Sequence, residues 1–368
     1  MTPLSRMFVL LMTLFCVLLA AGCFAADCGV SRQTVIVTKI SQNGSLLWTQ
    51  VLDTGIINQI SNIFPLPDGG IVTAGSLSTK RQNCVQEYKA RVVRFSDSGN
   101  ITWDRFFDTS GIGKATTITF TDDGGFVTVF NTGEIYKLDH DGNKVWSRNT
   151  GNSSDYWSAI ETDDGGIVIA GPVFLKLDRN GTVLWQRSYP NSSASDMNSV
   201  VELENSHGFI LEYFIHGPLV WNNYTIVLSQ FDPEGHFIHS TSIPEKSNFI
   251  RHSVFKIPEG FLVFLSDEEF SSGKTGMFHF SSNGTLIKKQ TLNATYPIIL
   301  TKDTGYIYAE IVNRSVHVVK LNRNETPVWE STIPVKNPRF DVFADTIIQT
   351  SDGGFIVTYN NWDTVDLS

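Results

Sequence analysis

Two short sequence patterns alternate along this chain, and their regular return restricts the possible folds more than any other feature. The first pattern is an apolar stretch, a polar turn with a glycine and, in its clearest copies, a tryptophan four residues after that glycine. Seven copies, some of them degenerate, span residues 35–48, 92–103, 135–146, 174–185, 230–235, 279–284 and 319–329. A fold assembled from seven equivalent units is therefore expected.

The second pattern is Asp-Gly-Gly followed by an apolar stretch. Clear copies occur at residues 68–75, 123–128, 164–171 and 352–357, and weaker ones at 207–210, 259–264 and 304–308. The glycines of the first pattern are about 40 to 55 residues apart, so each unit has room for four short strands. Asp-Gly and Asn-Gly pairs supply the positive φ that two-residue hairpin turns require.

Units of four strands predict the fold class. Four antiparallel strands in about 45 residues, repeated radially, describe a blade of a β-propeller. A chain of 368 residues is too long for one ordinary core, whereas blades that pack only on their neighbours avoid that limit. We predict an all-β protein, a seven-bladed β-propeller with four-stranded antiparallel blades.

The two ends of the chain predict how the ring closes. The chain begins with the last two strands of a blade, Val35–Ile40 and Ser45–Gln50, and ends with the first two, near Asp345–Gln349 and Gly354–Tyr359. Pairing of these halves would complete the seventh blade from the N- and C-terminal strands. Such a blade leaves no open sheet edge for another strand to join.

The N-terminal residues predict export. An apolar segment, Met7–Ala21, follows a single arginine and precedes small residues, as in a secretory signal. Three outcomes stay open: cleavage after Ala25, lipidation of Cys23 in a sequence that resembles a lipobox, or retention as a membrane anchor. Residues 1–26 are accordingly assigned to this signal, lipobox or anchor, and residues 27–368 to one propeller domain that is extracellular or on the cell surface.

The remaining two cysteines predict a disulfide bond. A shift of 55 residues superimposes the first two repeats and carries Cys28 to the position next to Cys84, so both would lie in equivalent loops of adjacent blades. An oxidising compartment outside the cell favours their pairing. Neither cysteine lies in a CxxC motif or near a histidine at ligand spacing, and no metal site is predicted.

The recurrent tryptophans and turn aspartates are interpreted as structural. Trp103, Trp146 and Trp185 share one phase of the repeat with two further tryptophans, which favours packing between blades over ligand binding. Aspartates such as Asp139 and Asp178 lie in hairpin turns, where Asp bonds to its own backbone. No catalytic residue is predicted, because the histidines are scattered and no nucleophile motif is present.

The repeat resembles two groups of known propellers. A glycine followed four residues later by tryptophan resembles the tryptophan-docking repeat of PQQ-dehydrogenase-like propellers, and Asp-Gly-Gly-φ-φ-x-Ala-Gly (φ, apolar) resembles repeats of secreted bacterial and archaeal propellers. The first resemblance implies a quinone enzyme as an alternative function. The vicinal cysteines that clamp the quinone in those enzymes have no counterpart here, and no cofactor is predicted.

Asn-x-Ser/Thr sequons are more frequent than composition explains. Three of them coincide with Asn-Gly turns, and the others lie in loops without that explanation. N-glycosylation is predicted as possible at Asn43, Asn100, Asn152, Asn180, Asn191, Asn223, Asn283, Asn293, Asn313 and Asn324.

The variable connections predict the functional face. Turns of uniform length lie on one face of the ring, whereas connections at Ser76–Lys89, Tyr213–Asn223 and Ser266–Gly276 and the tail at Asn360–Ser368 lie on the other. We expect a binding or structural module that contacts a protein or glycan there. The candidate contacts are Tyr213, Trp221, Glu268 and Trp362.

The sequence leaves two classes of function open. The alternative to a binding module is a propeller enzyme, a hydrolase or a PQQ-like oxidoreductase, with its site in the central channel. Nucleic acid is not an expected partner, because 37 acidic residues outweigh 28 basic ones. Contact with a membrane is expected only through the N-terminus.

Overall fold

In this computed structural model the described residues form 28 β-strands and no α-helix. The described residues are 30–52, 57–82, 85–109, 113–154, 157–189, 194–203, 208–216, 224–243, 251–266, 274–335 and 342–365. No helix in these ranges is long and apolar enough to cross a membrane. The predicted signal segment and Cys23, Cys28 and Cys84 lie outside them.

The strands group into seven four-stranded antiparallel blades. The composite blade contains β1 (Val30–Ile40), β2 (Leu46–Leu52), β27 (Val342–Gln349) and β28 (Phe355–Val365). Blade 1 contains β3 (Ile57–Pro65), β4 (Ile71–Gln82), β5 (Val85–Phe95) and β6 (Ile101–Phe107). Blade 2 contains β7 (Ala115–Phe120), β8 (Phe126–Phe130), β9 (Glu134–Leu138) and β10 (Lys144–Asn149).

The other four blades follow the same order. Blade 3 contains β11 (Ser158–Glu161), β12 (Ile167–Ala170), β13 (Phe174–Leu177) and β14 (Val183–Arg187). Blade 4 contains β15 (Ala194–Glu202), β16 (Phe209–His216), β17 (Tyr224–Phe231) and β18 (Phe237–Ile243). Blade 5 contains β19 (Arg251–Ile257), β20 (Gly260–Ser266), β21 (Thr275–Ser281) and β22 (Leu286–Leu292), and blade 6 contains β23 (Ile298–Leu300), β24 (Tyr306–Val312), β25 (Ser315–Leu321) and β26 (Pro327–Pro334).

The first strands of the blades close a ring. Each contacts the first strand of the next blade, in the order β3, β7, β11, β15, β19, β23, β27 and back to β3. In the composite blade, β1 pairs with β28 from Val30 opposite Val365 to Ile40 opposite Phe355. The predicted seven-bladed propeller, with one blade made from both ends of the chain, is therefore confirmed.

The apolar core is divided among the seven junctions between blades. Seven clusters of buried apolar side chains each join two neighbouring blades. The second and third strands supply most of these residues because apolar side chains cover both of their faces; all five residues of β8 are buried, for example. Each blade is thus stabilised by packing on two neighbours, as a repeat architecture requires.

Most described turns on one face are longer than the two-residue turns that the sequence predicted, whereas the turn between β19 and β20, where Ile257 pairs with Gly260, has the predicted length. In the composite blade, the N–H of Ser41 donates to the carbonyl of Ser45, and the N–H of Gly44 donates to the carbonyl of Ser41. This is a three-residue loop that ends in a glycine with a φ of 87°. The turns between first and second strands and between third and fourth strands share this face, which we call the turn face; the opposite face is the variable-loop face.

Candidate functional site

Five tryptophans fasten one blade to the next. Each lies on the fourth strand of its blade, packs on a turn glycine of the following blade, and donates its Nε1–H to the carbonyl two residues before that glycine. The pairs and N–O distances are Trp48 with Asp97 (2.8 Å), Trp103 with His140 (3.0 Å), Trp146 with Arg179 (3.2 Å), Trp185 with Pro233 (3.3 Å) and Trp329 with Gln42 (3.0 Å). The prediction that Trp103, Trp146 and Trp185 pack between blades is confirmed.

Glycine is required beneath the indole for two reasons. Gly181, which lies under Trp146, has a φ of 81°, a conformation that residues with a Cβ rarely adopt. A Cβ at this position would also lie 3.0 Å from the indole ring. Within one copy of the first sequence pattern, the glycine therefore receives the indole of the preceding blade. The tryptophan four residues later packs on the turn glycine of the following blade.

A cation lies opposite each of these tryptophans in the strand register, and the four lysines among them are buried, whereas Arg94 is 22% exposed. Lys137 stands opposite Trp146, is 5% exposed, and places Nζ 2.6 Å from Oδ1 of Asp123 in the Asp-Gly-Gly turn of its own blade. The equivalent pairs are Lys39 with Asp352 (2.9 Å), Arg94 with Asp68 (2.7 Å), Lys176 with Asp164 (2.5 Å) and Lys320 with Asp303 (2.9 Å). The Asp-Gly-Gly pattern therefore holds an ion pair as well as a turn.

These contacts change the acidity of the turn carboxyl groups. Partial burial alone would raise the pKa of Asp123, but hydrogen bonds from Lys137, Thr121 and the N–H of Gly125 outweigh it and lower the pKa to about 2. The pKa of Asp164 is likewise lowered to about 2 by its own lysine, threonine and glycine partners. Both aspartates are consequently ionised, and both ion pairs are formed, at every pH well above 2.

Blades 4 and 5 depart from this arrangement. His239 replaces tryptophan at the fourth strand of blade 4, and Lys288 replaces it in blade 5. The cation positions opposite them hold Gln230 and His279. Within the described ranges, Oε1 of Gln230 and Nε2 of His279 have no hydrogen-bond partner.

A buried carboxylate and histidine join blades 4 and 5 instead. Glu212 on β16 is 1% exposed, and its Oε2 lies 3.0 Å from Nε2 of His252 on β19. The backbone carbonyl of His252 also accepts a hydrogen bond from the hydroxyl of Tyr296. Sequence reasoning missed this pair; its one signal was a glutamate within the apolar strand Phe209–His216.

The structure places two of the four predicted contact residues. Tyr213 is fully buried on β16, and its hydroxyl lies 3.0 Å from Oγ of Ser229; it offers no surface to a ligand, and we do not retain it as a contact. The backbone of Trp362 lies in β28 opposite Gln33. Trp221 and Glu268 lie outside the described residues.

The connection at Ser76–Lys89 is a strand hairpin rather than the expected loop. β4 and β5 pair as far as Gln82 opposite Val85. β4 has twelve residues, whereas its counterpart β8 in blade 2 has five, and at about 3.3 Å per residue the difference adds roughly 23 Å of strand. The expected tail at Asn360–Ser368 begins within a strand, because β28 extends to Val365.

The base of this hairpin is held rigidly. The guanidinium of Arg91 on β5 is 5% exposed and donates from Nε and Nη2 to the two carboxylate oxygens of Asp104, at 3.0 and 2.7 Å. Its Nη1 donates to Oδ1 of Asn58 at 3.0 Å. Three strands of blade 1 are thereby linked below the projecting hairpin.

An apolar groove lies between the composite blade and blade 6. It has a volume of about 520 Å³. Ile36, Leu47 and Val51 line one side, and Ile333 and Val335 line the other. Leu47 and Val51 are more than half exposed, so the groove can accept apolar side chains from outside. Among the described residues no group of three or more His, Cys, Asp or Glu side chains could hold a metal ion.

Comparison with known proteins finds similarity in fold only. Neither a protein-family model nor a curated protein matches the sequence. The WD40 domain of Neurospora crassa Pan2 superposes with a TM-score of 0.52 at 11% identity, over 84% of this chain and 96% of that one. This likeness agrees with the propeller architecture.

Two bacterial structures match less closely. BamB from Moraxella catarrhalis has a TM-score of 0.46 at 14% identity, over 88% of this chain and 91% of its own. A protein of unknown function from Bacteroides caccae has a TM-score of 0.40 at 11% identity, over 66% of this chain and 89% of its own.

Proposed function

We propose that this chain is an exported interaction module that binds a protein partner on its variable-loop face. The observation that carries the proposal is the unequal length of the connections on that face, above all the β4–β5 hairpin of blade 1. On a repeat scaffold, the parts that differ between units are the ones free to serve recognition. The turn face, by contrast, repeats the same short turns.

The geometry around the composite blade supports a protein as the partner. The hairpin of blade 1 rises on one side of the composite blade, and the apolar groove lies on its other side. The groove extends to Val51 and Val335, at the ends of β2 and β26 that meet the variable-loop face. Aliphatic side chains make up most of its lining, beside Trp48, Tyr359, Thr34 and Thr49, and such a lining suits apolar side chains of a polypeptide.

Site-specific photo-crosslinking in the producing cells tests the proposal. A photoreactive phenylalanine analogue replaces Lys89, which is 60% exposed at the hairpin, or Val51 in the groove. The matched control carries it at Val145, which is 62% exposed on the fourth strand of blade 2. We expect one discrete protein adduct from the first two positions and none from Val145.

Two outcomes would contradict the proposal. Equal amounts of adduct from all three positions would show that the crosslinks come from random collisions with other proteins. The absence of any adduct would reject a stable protein partner on this face. In the second case, binding of the purified chain to a glycan array would assign the face to a sugar ligand instead.

A further inference from the structure

Five of the seven turns between third and fourth strands contain an Asn-x-Ser/Thr sequon. These turns occupy equivalent places on the turn face of the composite blade and of blades 1, 3, 5 and 6, and in each the asparagine is exposed. The five asparagines are Asn43, Asn100, Asn180, Asn283 and Asn324. We propose that these five turns are N-glycosylated, which would place a ring of sugar chains on the rim of the turn face.

Turn chemistry alone does not account for the five sequons. In blade 6 the position of the turn glycine is occupied by Glu325, with a φ of 63°, yet Asn324 and Thr326 are both present. In blade 1 the asparagine follows Gly99 instead of preceding its turn glycine, and the threonine two residues later is again present. The spacing of the sequon therefore persists where the residue pattern of the turn changes.

The two turns without a sequon show that the fold does not need one. In blade 2, Oδ1 of Asp139 accepts the N–H of Asn143 at 2.8 Å. In blade 4, Oδ1 of Asp232 accepts the N–H of His236 at 2.7 Å. Blade 3 has the same aspartate cap, from Asp178 to the N–H of Thr182 at 2.7 Å, together with its sequon. The loop thus forms with or without an asparagine at the sequon position, and the asparagine is not a structural requirement.

A second observation gives the sugar chains a physical role. Immediately after these turns, the outermost strands expose apolar side chains to solvent, 40% to 58% of each being accessible. Outside the apolar groove, they are Ile101, Val183, Leu184, Leu286, Ile287 and Val328. Exposed apolar edge strands favour association with other chains, and a bulky, hydrophilic glycan a few residues away would cover them.

The modification is a group transfer whose donor is a lipid-linked oligosaccharide. The side-chain Nδ2 of asparagine forms a bond to the anomeric carbon of the first sugar, and the bond from that carbon to the phosphate oxygen of the lipid carrier breaks. The amide loses one proton to the transferase, and the lipid phosphate leaves. Because the enzyme acts on exported chains, the proposal also requires the predicted export signal.

Peptide mass spectrometry of the protein isolated from its own cells tests the proposal. The same chain produced in a bacterial cytoplasm without a glycosyltransferase provides the unmodified reference masses. We expect a glycan mass on at least three of the five turn asparagines. Glycans on two or fewer of them, including glycans found only at sites such as Asn152 or Asn293 on the variable-loop face, would overturn the proposal.

Matched single-residue variants test whether the sequon itself, rather than the fold of the turn, determines where the glycan is attached. Thr182 is exposed and lies two residues after Asn180; Thr182→Ala should abolish the glycan on Asn180, and Thr182→Ser should keep it. Val145→Thr creates a sequon in the blade 2 turn and should add a glycan at Asn143. Persistence of the Asn180 glycan in Thr182→Ala would show a different modification and overturn the assignment.

Discussion

Two arcs of the ring share one backbone architecture and differ in how their blades are fastened. In the tryptophan arc, which we define as blades 6, composite, 1, 2 and 3, every blade carries a docked indole and a cation, buried in all but blade 1, that is paired with a turn aspartate. Blades 4 and 5 carry neither on their fourth and third strands. Strand pairing and apolar packing are therefore sufficient to form a blade. The docked tryptophan and the cation–aspartate pair are additional contacts, present in five of the seven blades.

Blades 4 and 5 are joined by other contacts in place of a docked tryptophan and a cation–aspartate pair. Their shared apolar cluster includes Ile226 and Leu228 of blade 4 and, in blade 5, Phe261 and Phe280, whose rings stack on each other with centroids 5.1 Å apart. The buried Glu212 and His252 cross the same junction. This junction is thus held by core contacts, while the junctions of the tryptophan arc are also held near the turn face.

The largest expected effect comes from breaking the composite blade within the tryptophan arc. A chain without residues 1–53 lacks β1 and β2, so β28 loses its partner and Trp48 no longer contacts blade 1. We expect aggregation or a melting temperature far below that of the control, a chain without residues 1–29. Equal solubility and melting of the two proteins, measured by scanning calorimetry, would refute the closure of the ring by β1.

Removing one indole should show the difference between the arcs. Trp146→Ala deletes the ring over Gly181 and its hydrogen bond, and should lower stability by about 3 kcal/mol. His239→Ala at the equivalent place in blade 4 should cost less than about 1 kcal/mol. Urea unfolding midpoints measure both, and similar losses would mean that the arcs are fastened alike.

Acid should weaken the tryptophan arc selectively. The folded-state pKa of Asp123 and Asp164 is about 2, below the unfolded value of about 3.9. The ion pairs therefore contribute their full stabilisation above about pH 4, and lose it as the pH falls towards 2. The double variant Asp123→Asn, Asp164→Asn should have a lower melting temperature than the parent at pH 6, and its melting temperature should fall less as the pH is lowered. Melting temperatures of variant and parent that fell in parallel with pH would contradict this prediction.

The smallest expected effect is a gain from restoring an indole. His239 packs on Gly284, which has the same positive φ as the other turn glycines, so His239→Trp should add about 1 kcal/mol. Lys288→Trp should add nothing alone, because Glu325 occupies the glycine position of blade 6. Together with Glu325→Gly it should stabilise the chain. A gain from Lys288→Trp alone would contradict the requirement for glycine.

The repeat made the architecture readable from sequence, since glycine, aspartate and tryptophan recur at fixed phases that the backbone needs. Side chains outside the repeat were harder to place. Tyr213 was taken for a loop residue, but β16 continues to His216, and a second strand is buried on both faces. The extent of the β4–β5 hairpin and the Glu212–His252 contact depend on cross-strand register and on packing between blades, neither of which local patterns record.

Native-state hydrogen exchange of the intact chain tests the division into two arcs most directly. The third strands β9, β13, β17 and β21 are mostly buried, so differences in amide protection among them report the local free energy of opening rather than solvent exposure. We predict that amides of β9 and β13 exchange at least tenfold more slowly than those of β17 and β21. Equal protection, or slower exchange in β17 and β21, would contradict the claim that tryptophan docking and the ion pairs of the turn aspartates hold the blades of one arc together more strongly than those of the other.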